Sequence, residues 1–137
     1  MNAPNADFAV IRALARVRDH MIERAQLLRT NAAVTQVTSR IDIRDHGGKD
    51  VYIEIYIDAE LTDGRALTWM LEARTEQSAW TVEASVNETS TAGQDVIREY
   101  DVRTSTGSDT LAAHIVDAAE ELLQTDLGGL YGQGNGL

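Results

Sequence analysis

Cysteine is absent from this 137-residue chain, which excludes disulfides, thiolate nucleophiles and every cysteine-ligated zinc site. Its absence is compatible with a reducing compartment. Proline occurs once, at Pro4, where it can open a helix. Phenylalanine also occurs once, so Trp69 and Trp80 must supply much of any bulky core volume. Lys49 is the single lysine beside eleven arginines.

No apolar run approaches the length of a membrane span. Residues 8–17 are apolar enough to suggest a signal-peptide core, but Arg12 and Arg16 interrupt them. Asp7, Asp19 and Glu23 count in the same way against a mitochondrial transit peptide. The expected location is cytoplasmic, with no membrane contact.

Catalytic and cofactor motifs are missing as well. Gly47-Gly48-Lys49-Asp50 lacks the spacing and the closing Ser or Thr of a phosphate loop, and it joins two strands instead of opening a helix. His20, His46 and His114 fall on three different elements, with no i, i+4 pair for a zinc ion. No Gly-x-Ser-x-Gly elbow positions a serine nucleophile. No cofactor and no metal are expected, and the chain is expected not to be an enzyme.

What the chain does contain is periodicity. At 43% hydrophobic residues it can build a core without staples, and a domain of this size hides roughly 70% of its unfolded surface. On a helical wheel, Phe8, Val10, Ile11, Leu14, Val17, Met21, Ile22, Ala25 and Leu28 share one half, predicting a helix from about residue 5 to 29. Arg18 falls near the middle of that apolar arc. A buried lone guanidinium would need a carboxylate partner, from the protein or from a ligand.

From Ala33 the period becomes two. Val37, Ile41 and Ile43 define a first strand, and Val51, Ile53, Ile55 and Ile57 a second. Asp63-Gly64 reads as the central pair of a two-residue type I′ hairpin turn. Leu67, Trp69 and Leu71 follow in a third strand, then Trp80, Val82, Ala84 and Val86 in a fourth. Residues 87–94 read as a polar loop, and Val96, Tyr100 and Val102 as a fainter fifth strand with inward parity. A second helix starts near Ser108, with Ser108 or Thr106 as its cap, and buries Leu111, Ile115, Ala118, Ala119 and Leu122.

Such short connections favour antiparallel neighbours. The expected fold is therefore α+β: an N-terminal helix, an antiparallel meander of about five strands and a C-terminal helix. Both helices cover the apolar sheet face. One domain over residues 1–127 is expected, followed by a glycine-rich flexible tail over 128–137.

Charge is unevenly placed. Residues 1–30 carry +2 and the remainder −12, a field that repels nucleic acid and anionic membrane and favours basic partners. Strand parity puts Asp42, Glu54, Glu72, Glu83, Glu99 and Asp101 on the outer sheet face, together with Arg40, Arg44, Arg74 and Arg103. Two of those carboxylates could reach the separation that glycosidases use. Opposite-charge pairs are, however, the ordinary dressing of a solvated sheet.

The functional expectation is a non-catalytic protein-interaction module, an adaptor of the immunity-protein, inhibitor or secretion-chaperone kind. Its surface would be the acidic sheet face at Tyr52, Glu54, Tyr56, Met70, Glu72 and Glu83. Its partner would be a basic protein or a second copy of itself, with no nucleic acid bound. The alternative is a small-molecule binding domain or modest enzyme, with a pocket between helices and sheet near Arg18, Trp69 and Trp80.

Overall fold

Helix α1 (Ala3–Arg29) leads into a five-stranded antiparallel meander of β1 (Val34–His46), β2 (Asp50–Leu61), β3 (Ala66–Glu76), β4 (Ala79–Ser90) and β5 (Gly93–Glu99). A short β6 (Arg103–Ser105) returns to pair with the start of β4, and α2 (Ser108–Leu123) closes the chain. This computed structural model describes residues 3–46, 50–76 and 79–125. The expected glycine-rich tail and the Gly47–Lys49 turn lie outside the described residues.

One sheet face receives both helices. Ile53, Ile55 and Ile57 of β2, Leu67, Trp69 and Leu71 of β3, and Val82 and Val86 of β4 form one buried cluster with Val17, Met21 and Leu28 of α1 and Leu111, Ile115 and Leu122 of α2. The alternation in each strand dictates this, because a face so apolar must be covered. The sheet centre is also tied to the end of α2. The Trp69 indole N–H donates to the Thr125 carbonyl at 2.8 Å, and the Tyr100 hydroxyl hydrogen-bonds the Thr125 hydroxyl.

Several local expectations are corrected. The β2–β3 turn is a three-residue loop, Thr62–Gly64, not a two-residue one. Gly64 N–H donates to Leu61 O at 3.1 Å, Leu61 N–H donates to Arg65 O at 2.8 Å, and Gly64 has φ +90°. Thr62 and Asp63 occupy the turn, and Gly64 follows at the left-handed position such a loop requires. Asp63 closes it by accepting from the Arg65 backbone N–H at 3.1 Å and pairing with its guanidinium at 2.7 Å. Those contacts from Arg65 hold the Asp63 carboxyl below its usual range.

Residues 87–94 are not a loop. β4 runs on to Ser90 and β5 begins at Gly93, so their polar side chains dress a hairpin at the sheet margin. The fifth strand is broken at Tyr100–Val102, where Tyr100 N–H donates to Ala84 O before β6 resumes. A bulge at Ile97 shifts the register, setting Val96 opposite Asn87 on the outer face and turning Ile97 towards the core. The α2 cap is Gly107, with no side-chain cap bond, rather than Ser108 or Thr106.

On α1 the buried stripe is Ala13, Val17, Met21, Ala25 and Leu28, while Ile11, Arg18 and Ile22 are exposed. The helix packs against α2 as well as β1, which rotates its buried side away from the middle of the apolar arc. Arg18 is thereby left on the outer shoulder and needs no buried partner.

Candidate functional site

Pairing of β1 to β4 lines up the outer face in rows. Asp42 stands opposite Glu54, Glu54 opposite Glu72, and Glu72 opposite Glu83. Four carboxylates thus stand abreast across four strands. On one side the row is Arg44, Tyr52, Arg74 and Thr81; on the other it is Arg40, Tyr56, Met70, Ser85 and Glu99. All six residues expected to form the binding surface, Tyr52, Glu54, Tyr56, Met70, Glu72 and Glu83, lie together in these three rows and are half-buried.

Directly opposed like charges destabilise a sheet, so the acidic row needs compensation. Part of it is present. Arg74 reaches Glu83 at 3.1 Å and Glu72 at 3.7 Å, and Arg40 lies 3.9 Å from Asp42. The Tyr52 hydroxyl donates to Glu54 at 3.1 Å, and the Arg44 guanidinium sits 5.8 Å from the centre of its ring. Burial of the Tyr52 phenol, together with the Glu72 and Glu54 carboxylates beside it, raises its pKa far above the ordinary tyrosine value.

Beside the carboxylates the surface is concave. A groove of about 430 Å³ runs between Met70, Glu72 and Glu83 on one wall and Val96, Glu99 and Val102 on the other. The break at Tyr100–Val102 opens it: the Tyr100 phenol turns inward to Thr125, while Val96 and Val102 stay exposed. Strand parity alone predicts both valines on the inward face. The bulge and the break invert that parity, and no local sequence signal marks either. Arg103 is corrected too. It stands opposite Val82 on the helix-covered face and pairs with Glu121 of α2 at 3.4 Å, while Asp101 lies in the break.

The structure does not bring Arg18, Trp69 and Trp80 together. Trp69 is fully buried, Trp80 is half-buried beside Thr75 and Ser105, and Arg18 is exposed on α1. The void between helices and sheet next to Trp69 is about 10 Å³, no more than the minimum for one water. Arg18 lines a separate, open groove of about 470 Å³ between α1 and β1, which neither tryptophan reaches.

Among the described residues no group of three or more His, Asp or Glu side chains is placed to hold a metal ion. No described helix is long and apolar enough to cross a membrane. No protein-family model, curated protein or solved structure matches the chain.

Proposed function

We infer that the chain is a non-catalytic protein-interaction module that takes a basic protein partner on the outer face of its sheet. The observation that carries this reading is the row Asp42, Glu54, Glu72 and Glu83. On a face that no described helix covers, the fold gains nothing from opposing four carboxylates. A partner's arginines and lysines would relieve that repulsion and gain charge-assisted hydrogen bonds. The half-buried Tyr52, Tyr56 and Met70 flank the row with the residue types that make interface centres, leaving carboxylates to set association rate and partner choice. The neighbouring groove, acidic along Glu72, Glu83 and Glu99 and apolar at Met70, Val96 and Val102, fits an extended segment carrying both basic and apolar side chains.

This profile is that of a small acidic adaptor of the immunity-protein, inhibitor or secretion-chaperone kind, acting in the cytoplasm. Nucleic acid is disfavoured as a partner by the −12 charge of residues 31–137. The test is affinity capture from native extract with wild type and with the Tyr52→Ala/Tyr56→Ala double variant, after circular dichroism shows that the variant is folded. Loss of a basic partner from the variant, and weakening of wild-type capture by salt, are the expected results. A captured set identical for both baits would place the binding site elsewhere.

A further inference from the structure

The sheet has one long open edge. Among the described residues β1 pairs with β2 alone, and it offers its other side along Val34–His46. Exposed edges of this length are ordinarily blunted by proline, lysine, a central bulge or a covering element. β1 has no proline or lysine, its irregularity lies at its start between Val34 and Gln36, and Arg29 donates to Val37 O at 3.3 Å near that start. The opposite edge differs, since the break at Tyr100–Val102 interrupts it between β5 and β6.

Uncovered apolar side chains lie along the same edge. Ile43 of β1 is 61% exposed, and Ile22 of α1, which lines a groove with Ile41, is 42% exposed. Ile22 and Ile41 line the open groove of about 470 Å³ between α1 and β1, with Arg18 and Arg40 at its polar margin. Beneath the helices, by contrast, the void beside Trp69 is only about 10 Å³.

We propose that a second copy of this chain completes the edge, with β1 pairing antiparallel to β1 of the copy about a twofold axis at Ile41. The strand is complementary to itself in that register. Reading Arg40-Ile41-Asp42 against its reverse places each Arg40 opposite the copy's Asp42 and Ile41 opposite Ile41. Ser39 then meets Ile43 and Thr38 meets Arg44, so no like charges oppose one another, and pairing extends from Gln36 to His46. The neighbouring registers that keep the same face inward are worse. Centring on Asp42 opposes Asp42 to itself and Arg40 to Arg44, while centring on Arg40 opposes that arginine to itself. Centring on Ile43 pairs only Arg40–His46. In the favoured register the two α1 helices flank the axis on the covered face, so that the groove holding Ile22 and Ile41 of each copy opens onto the seam between them. The six-stranded sheet of each copy becomes half of one continuous sheet, and the Asp42 end of each acidic row is capped by Arg40 of the copy. This interface shares Asp42 with the acidic row but does not require a basic partner on the outer face.

The test is a charge-swap cycle read by sedimentation velocity across a concentration series at low salt, with circular dichroism to confirm folding. Wild type should show a concentration-dependent dimer. Arg40→Asp and Asp42→Arg should each weaken it by about tenfold or more, because both symmetric contacts become like-charged. An equimolar mixture of the two single variants should form a heterodimer, since both carboxylates of one chain then face arginines of the other. The double variant Arg40→Asp/Asp42→Arg should dimerise by itself. Glu72→Gln/Glu83→Gln, which alters only the outer-face site, should leave the dimer unchanged. A monomer at every concentration overturns the proposal. So does a dimer indifferent to the single substitutions, or a loss that neither the mixture nor the double variant recovers.

Discussion

Glu54 of β2 and Glu72 of β3 face each other directly across the sheet, with Asp42 and Glu83 extending the row on either side. Tyr52 and Arg74 offset part of the resulting repulsion.

Removing one charge from the row should therefore stabilise the isolated protein. Glu54→Gln keeps an oxygen able to accept from Tyr52 while relieving two like-charge neighbours. A gain of about 0.2–1 kcal/mol is expected at neutral pH and low salt, shrinking as salt rises. Urea denaturation of wild type and variant measures it. A destabilised variant would mean that the row is already neutralised within the fold.

Tyr52 should ionise later than a free tyrosine. Partial burial, then Glu72 and Glu54, disfavour its phenolate and raise the folded pKa above the unfolded value. The stability this contributes is fully present below the ordinary tyrosine pKa of about 10 and is lost as pH rises towards the folded value. Ultraviolet titration of the folded protein should show a delayed tyrosine, and Glu72→Gln should advance it. A titration curve that Glu72→Gln leaves unchanged would refute the role of that carboxylate.

Gly64→Val tests the hairpin. A Cβ at this position meets no atom within 4 Å, so any penalty comes from the φ of +90° alone. A loss of about 1 kcal/mol or more is expected for valine, and less for asparagine, which tolerates the left-handed region. Equal denaturation midpoints for all three proteins would contradict the turn geometry.

Trp69→Phe should be among the most damaging conservative substitutions. It opens a cavity in a fully buried site and leaves the Thr125 carbonyl without its indole donor. A cost of about 2 kcal/mol or more is expected by thermal or chemical denaturation. Arg18→Met, by contrast, should shift stability by no more than about 0.5 kcal/mol, because the guanidinium is exposed.

The elements and their faces are legible from periodicity. Ile53, Ile55 and Ile57, or Leu111, Ile115 and Leu122, repeat at the spacing of the surface they bury, and a face so marked must be covered whatever covers it. Parity likewise places Tyr52, Glu54, Tyr56, Met70, Glu72 and Glu83 on one outer surface. Where the pattern depends on a partner element, it fails. The α1 wheel contains Arg18 in its apolar arc, and only packing against both α2 and the sheet decides which part of that arc is buried. In β5, one extra residue at Ile97 reverses the facing of Val96, and bulges carry no composition of their own.

Sequence by itself therefore determined the α+β class, the antiparallel order and the chemistry of each face, because these follow from local spacing and short connections. Tertiary structure alone decided register. Register turned a set of outward acids into a row of four opposed carboxylates and opened the Val96–Val102 groove beside it. Each of those relationships joins residues from strands whose relative offset no single strand encodes.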